Sequence, residues 1–418
     1  MKILVTLHNF LPEPCFGAER VAMRQMRELA RSGHDVAVLF AGRRGPSDED
    51  LAREGLSGIR CYRVPYVAPK AQVLLSIARP RAEYAFRRAL REFEPDVVLF
   101  HHLVRLSLRL PEIAHRLGMP SVLVLHDHYL ACPSYSLVAF DGPVCPAGAP
   151  ARCARCLYAS RFGGTIPPGL SVATAALLAW RARLIARLVT ATDGLVAPSR
   201  SVIAQVEARG VSLPGARVVP NGSDREPPPV AARRAGQSIR FGYLGGTLPK
   251  KGIEVLVEAC AGPLSRDLRI RGFQDGAATE AFRRAHPDCL ASLEPFSPGI
   301  GDFFDAVDVV IVPSVCLENQ PTTIIDAFAH GKPVIASRIG GIPEMFEDGR
   351  GGWLVPPGDA AALRSCMERL RRSQDEVRRV SAAIPPWPSW SEVTASMIAE
   401  LERAIASRQA RRANEARS

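Results

Sequence analysis

The feature that most limits the fold of this chain is an alternation of short, near-continuous apolar runs with segments of helical periodicity. It runs through the chain twice. The first series places apolar runs at residues 3–7, 36–40, 59–64, 97–100, 122–125 and 195–197. Strands covered on both faces read this way. Between the first two runs, residues 18–32 carry apolar side chains at helical spacing and are closed by Gly33. That is a strand–helix–strand unit, the building block of a parallel sheet. The second series places runs at 240–244, 268–271, 309–312, 334–336 and 353–355. Residues 221–237, which include Pro227, Pro228 and Pro229, separate the two series and read as a linker. The expected domains are therefore 1–220 and 238–384. Pro385, Pro386 and Pro388 then break the pattern, and residues 389–405 resume it as a helix within a terminal segment, 385–418, whose Arg-rich end is expected to fray.

At 418 residues the chain is too long for one compact core, at roughly 100–200 residues per domain. Its hydrophobic fraction of 47% and charged fraction of 23% are those of an ordinary globular protein. The net charge of +11 rests almost wholly on arginine, because only five of the 53 basic residues are lysine. A basic protein favours nucleic acid, anionic membrane or phosphorylated substrates. No zinc-finger, helix-turn-helix or RNP-like pattern is present, which makes nucleic acid the weakest of these. The opening apolar run is too short for a signal-peptide core. The longest apolar stretch, residues 170–191, is interrupted by Arg181, Arg183 and Arg187, which argues against a spanning helix. A cytoplasmic protein is expected, and its ten cysteines do not then require disulfides. The Arg-rich helical stretches 79–91 and 181–187 read either as solvated faces or as peripheral contacts with the anionic inner face of a membrane carrying a lipid-linked acceptor.

The chemistry concentrates after the apolar run 309–312. The chain there reads Pro313-Ser-Val-Cys-Leu-Glu318-Asn-Gln320-Pro321-Thr322-Thr323-Ile-Ile-Asp326, and continues to Gly331. Pro321 suits a first helical turn and Gly331 a helix stop. A loop leading into a helix N-terminus binds anions, because free backbone N–H groups and the helix dipole favour phosphate. Glu318 and Asp326 supply two acceptors for sugar and ribose hydroxyls. Taken alone they read equally well as a loop charge and a solvated helix charge. A Gly340-Gly341-Ile-Pro343-Glu344 turn and a Pro357-Gly358-Asp359 turn follow.

This run resembles the C-terminal domain of glycosyltransferase family 4, a retaining family with the GT-B fold. Further matches extend the likeness to nearly the whole chain: Gly17-Ala18-Glu19-Arg20, Gly33-His34-Asp35, His126 after the run 122–125, Pro220-Asn221-Gly222, and the loop from Gly242 to Gly252. The resemblance implies two Rossmann-like parallel-sheet domains facing across a cleft, with the C-terminal helix crossing back to the first. It implies that Glu318 orients the donor sugar, that Asp326 stands where a glutamate contacts ribose, and that Lys251 contacts the diphosphate. Gly246 occupies the position of an expected arginine, and Lys250 is one substitute. Gly17, Gly245, Gln320, Pro321, Thr322 and Thr323 would complete the donor site. His126, at a strand end where sites form, would face the sugar.

The reaction so implied is transfer of a hexose-like sugar from a nucleoside diphosphate to a glycan, lipid-linked or small-molecule hydroxyl, with retention and with no metal needed for catalysis. Two other readings stay open at this stage: a nucleotide-sugar epimerase of the same fold, and a non-catalytic sugar-nucleotide-binding protein. A dinucleotide oxidoreductase is disfavoured, since no Gly-x-Gly-x-x-Gly follows the first strand. Separately, Cys132, Cys145, Cys153 and Cys156 fall in a Gly/Pro-rich insertion at about 130–160. The Cys-x-x-Cys spacing of the last two makes a structural zinc site an expectation, set against reduced, buried thiols.

Overall fold

The computed structural model describes residues 1–13, 15, 17–66, 76–140, 142, 144, 145, 148–224, 238–295 and 299–415. The chain divides into two compact units, Met1–Asn221 with Trp390–Ser418, and Gly222–Ser389. Most of the expected linker, residues 225–237, lies outside the described residues.

The first unit runs β1 (Lys2–Leu7), α1 (Gly17–Arg31), β2 (Asp35–Gly42), α2 (Asp48–Arg53), β3 (Arg60–Pro65), α3 (Pro80–Phe93), β4 (Val97–Phe100), α4 (Leu110–Arg116), β5 (Ser121–Val124), α5 (Pro150–Phe162), α6 (Pro168–Ala191), β6 (Gly194–Ala197), α7 (Arg200–Glu207) and β7 (Arg217–Val218). Its seven strands are all parallel, in the order β3-β2-β1-β4-β5-β6-β7. The order reverses between β1 and β4, and ligands of such sheets gather at the carboxyl ends on either side of that point. Strand alternation splits the core into two layers. Leu4 of β1 joins the layer containing Phe86 and Phe100. Ile3, Val5 and Leu7 join the layer containing Met26 of α1.

The second unit runs β8 (Phe241–Leu244), α8 (Ile253–Ala259), β9 (Leu268–Phe273), α9 (Gly276–Ala285), β10 (Ser292–Pro295), α10 (Gly301–Ala306), β11 (Val309–Val312), α11 (Thr322–Ala329), β12 (Val334–Ser337), β13 (Glu347–Asp348), β14 (Gly351–Val355), α12 (Ala360–Arg372) and α13 (Gln374–Ala382). It repeats the plan with a parallel sheet ordered β10-β9-β8-β11-β12-β14-β13. β11 divides its side chains as β1 does, with Val309 and Ile311 on one layer and Val310 and Val312 on the other. The two ends of this unit are tied together, since Ser223 N–H donates to the Pro388 carbonyl at 2.8 Å.

Two local expectations are corrected, and one acidic run finds its place. Asp48, Glu49 and Asp50 form the first turn of α2. Ser47 caps that helix and Asp50 caps Ser47 in return, and carboxylates at a helix start complement its dipole. Arg181 is neither solvated nor available to a membrane: it is 4% exposed and donates to the Tyr129 and Leu130 carbonyls. The Arg-rich end, expected to fray, is helical in its described part: the last helix, α14, runs from Trp390 to Glu415. Val393, Met397 and Leu401 pack it into the same layer as α1. Arg408 reaches the Asp193 carboxylate at 2.9 Å, with both side chains almost wholly buried. Asp193 also accepts the Ser121 N–H at the start of β5, at 3.0 Å. Removing one partner of a buried pair leaves an uncompensated charge and costs about 3–5 kcal/mol. Arg408→Met is therefore expected to lower stability by about that much, read as a fall in the urea midpoint at unchanged slope.

Candidate functional site

In the second unit the loop after β8 and the loop after β11 close on each other. A short 3-10 turn, Pro249–Lys251, ends at Gly252, whose φ is +76°. A Cβ there would stand 1.8 Å from the Pro313 carbonyl oxygen, so only glycine permits this approach. The Val315 N–H donates to the Lys250 carbonyl at 3.1 Å and extends the contact. The result is an ion pair: Lys251 Nζ lies 2.7 Å from Glu318 Oε1, which also accepts the Ser314 hydroxyl at 2.7 Å. Burial opposes the Lys251 charge, but the Glu318 carboxylate outweighs it and raises the lysine pKa. Burial likewise opposes ionisation of Glu318, and Lys251 with Ser314 lowers its pKa. Both groups are therefore charged at neutral pH. Behind Glu318, its carbonyl accepts the Gly341 N–H at 2.7 Å, and a Cβ on Gly340 would collide with that same carbonyl oxygen.

Glu318 leads into α11. Pro321 occupies the cap position rather than the first turn, and no side chain caps the helix there. Without a side-chain cap this turn can offer N–H groups to an anionic ligand, although the Ile324 N–H already donates to the Pro321 carbonyl at 3.0 Å. Thr323 Oγ1 donates to the Leu244 carbonyl at 3.2 Å, which ties this turn to the end of β8 and the Gly245–Gly246 loop. Lys250, Gln320, Pro321, Thr322 and Asp326 are partly exposed around it, Asp326 on the second turn. Gly246 is exposed, and a Cβ on it would meet nothing within 4 Å. Nothing within this unit forbids a larger side chain there.

In the first unit the strand ends collect histidines. His8 follows β1, His101 and His102 follow β4, and His126 follows β5. His8 Nε2 lies 2.9 Å from Glu19 Oε1 on α1, and His102 Nε2 lies 3.1 Å from Asp127 Oδ2. His102 Nδ1 accepts the Val104 N–H at 3.1 Å, which assigns the ring proton to Nε2, facing Asp127. His126 Nε2 and His101 Nδ1 are 2.7 Å apart. Burial first, then the neighbouring His102 imidazole, pushes the His126 pKa down to about 4, so the ring is neutral at pH 7. The two pairs with Arg105 and Tyr135 line a cavity of about 210 Å³. Gly17 opens α1 nearby in sequence, exposed and with free space at its Cβ position.

The structure thus gathers Gly245, Gly246, Lys250, Lys251, Glu318, Gln320, Pro321, Thr322, Thr323 and Asp326 in the second unit, and holds Gly17 and His126 in the first. Sequence reading missed His8, Glu19, His101, His102, Asp127 and Ser314. The signal was available for half of them, because His8, His101 and His102 directly follow apolar runs, as His126 does. Cys132, Cys145, Cys153 and Cys156 are not joined in disulfides. Burial first, then the other three cysteines, raises the Cys153 pKa to about 11, so the four share one neighbourhood. Among the described residues, however, no group of three or more His, Cys, Asp or Glu is arranged to hold a metal ion. The thiols as placed do not form the closed tetrahedral set that structural zinc requires.

Comparison with known proteins bears on both units. Residues 17–227 match the family model described as Glycosyltransferase Family 4, and residues 238–373 that described as Glycosyl transferases group 1. The chain belongs to glycosyltransferase family 4. A GDP-mannose-dependent alpha-mannosyltransferase of Mycolicibacterium smegmatis is 27% identical over 409 residues, covering 93% of this chain and 94% of its own. Sucrose-phosphate synthase from Thermosynechococcus elongatus shares the fold at a TM-score of 0.67 and 18% identity, over 97% of this chain and 99% of its own. HepE of Anabaena, solved in complex with UDP, does so at 0.62 and 17%, over the whole of both chains. The protein is a glycosyltransferase enzyme with a two-domain GT-B fold.

The histidine cluster gives this transferase a defined acid sensitivity. With the folded His126 pKa at about 4 against 6.5 unfolded, both states are neutral above pH 6.5. Below it the unfolded chain takes up the proton first, so stability falls from pH 6.5 to about 4 and then levels. Between pH 6.5 and 5 this group is expected to remove about 2 kcal/mol. Urea titrations should show His126→Gln losing less stability over that interval than the unaltered enzyme. Glu19, whose pKa His8 draws down to about 2 against the effect of burial, acts below that window.

Proposed function

We propose that this transferase moves a hexose-like sugar from a nucleoside-diphosphate sugar to an acceptor hydroxyl with retained configuration, and that the second unit binds the donor. The observation carrying this reading is the Lys251–Glu318 pair at the uncapped start of α11. A diphosphate requires positive charge and N–H donors; a sugar requires a fixed carboxylate acceptor. Both stand here within one side chain's length of each other.

In the proposed reaction the bond from the anomeric carbon to the diphosphate breaks, and its electron pair leaves with the diphosphate. The acceptor oxygen forms the new bond on the same face. Its proton passes to the departing phosphate oxygen. Lys251 and the α11 N–H groups stabilise the charge that develops on the diphosphate, and such preorganised donors are each worth about 10²–10³ in rate. Glu318 accepts sugar hydroxyls with the oxygen Lys251 does not occupy, and Asp326 accepts ribose hydroxyls. Neutral His126 is assigned to hydroxyl binding, as donor or acceptor but not as cation. The name of the mannosyltransferase relative and the UDP-glucose bound to HepE in a further structure make GDP-mannose and UDP-glucose the first donors to test.

A thermal-shift panel of nucleotide sugars should single out one donor, since only a ligand of the folded state raises the melting temperature. With that donor, Lys251→Ala is expected to lower kcat by about 10²–10³-fold. No stabilisation by any nucleotide sugar would overturn the assignment. Gly246→Arg tests the departure from the family pattern. The open space at that position predicts an unchanged melting temperature without donor, and a larger donor-induced shift through one added charge-assisted contact to diphosphate.

A further inference from the structure

One part of the first unit extends beyond its sheet: the buried α6 side chains in the sheet layer, Leu184, Ile185, Leu188 and Val189, all lie in the second half of that helix. Helices α5 and α6 form a hairpin with a small core of its own, where Ala154, Leu157 and Leu178 pack with Cys153, Ile166 and Ala175. Its tip and outer face expose large apolar side chains: Phe162 at 56%, Leu170 at 49%, Val172 at 72% and Trp180 at 41%. On α6, Val172, Ala176, Trp180, Arg183 and Arg187 are all exposed. Their spacing of three and four places them in one stripe. The stripe is apolar for its first two turns and basic beyond.

Charge points to the occupant. Residues 142–192 hold six arginines and no aspartate or glutamate. At the chain's average density about five carboxylates would be expected there. Of the six arginines, Arg181 is consumed by backbone carbonyls, while Arg155, Arg183 and Arg187 are exposed. A second copy of the same face would bring these charges against each other, with no acid in the segment to compensate. A zwitterionic or neutral partner leaves them unused. A sheet of anionic lipid headgroups satisfies both halves of the stripe, since arginine forks bind phosphate while tryptophan and aliphatic side chains enter the acyl boundary. No described helix is long and apolar enough to cross a membrane, so the hairpin would lie on the surface.

We propose that the α5–α6 hairpin is a membrane-docking element that seats the enzyme on an anionic lipid surface through Val172, Trp180, Arg183 and Arg187. This surface is independent of the donor site, and either reading can fail while the other stands.

The test uses the full chain and vesicles of phosphatidylcholine alone or with about a quarter phosphatidylglycerol. Sedimentation should show binding to the anionic vesicles only, weakening as salt rises. Arg183→Ala and Arg187→Ala should each weaken it about five-fold. Val172→Asp should weaken it at every salt concentration. Brominated acyl chains should quench part of the tryptophan emission, and Trp180→Phe should abolish that quenching. All four variants should keep the melting temperature and donor response of the parent, which separates lost docking from misfolding. Absence of binding at low salt, equal binding to both vesicle types, or variants that bind as the parent does would overturn the proposal. So would concentration-dependent self-association that Val172→Asp removes, which would identify a second copy as the occupant.

Discussion

Lys251 and Glu318 stand 67 residues apart in the chain and 2.7 Å apart in space, and much of the second unit is arranged to keep them there. Neither charge is cheap to hold in a partly buried loop, and each offsets the other's desolvation. The geometry does not depend on the pair's own attraction. It follows from backbone contacts that exclude side chains at Gly252 and Gly340, from the Ser314 hydroxyl and from the Thr323 tie to β8. Such a frame matters for catalysis because groups already in place need no reorganisation as charge develops. In the proposed donor site the pair can also exchange partners. The ammonium now satisfied by Glu318 can turn its remaining N–H donors to a diphosphate, and the carboxylate keeps a second oxygen for hydroxyls.

The same rule of parallel sheets, that chemistry gathers at carboxyl ends of strands, produces a different result in the first unit. There the strand ends deliver imidazoles rather than a lysine and a helix dipole. Close packing forces most of them to be neutral, because burial and their own neighbours oppose a positive charge. Glu19 and Asp127 do not reverse this for the whole cluster; they hold ring orientation, Glu19 at His8 and Asp127 at His102, whose Nδ1 also accepts the Val104 N–H. A neutral, oriented imidazole cluster suits hydroxyl recognition. It is poorly suited to diphosphate, whose charge it could not balance.

How much of this was legible depended on whether an element announces itself by burial. The long buried strands were read directly, because a strand covered on both faces must be apolar throughout. β7, β10 and β13 were not. Arg217, Val218, Glu347 and Asp348 are exposed, two-residue edge pairings without an apolar run, and β10 is only partly buried. The Glu318 loop was legible through Pro321 and the helix start, whereas its partnership with Lys251 is a tertiary fact no local pattern contains. His101 and His102 were readable from position and overlooked. The terminal arginines misled because composition cannot tell a solvated charge from one that finds a buried carboxylate.

That last ambiguity runs through the whole charge of the molecule. Arg408 is matched by Asp193. Arg271 is matched by Glu294 and by both oxygens of Asp302, and those hydrogen bonds, Asp302's foremost, raise its pKa. Arg240 is matched by Asp308. These arginines are structural and lend the surface little field. The hairpin is the opposite case, a long stretch of chain with arginines and no acid at all. A net charge of +11 is thus a poor description of what a partner meets. Paired charges cancel one another, and the excess of arginine over acid collects where apolar side chains are also left uncovered. Electrostatics alone would bring many polyanions to such a face, but exposed valine, leucine and tryptophan narrow the choice to a surface that also offers hydrocarbon.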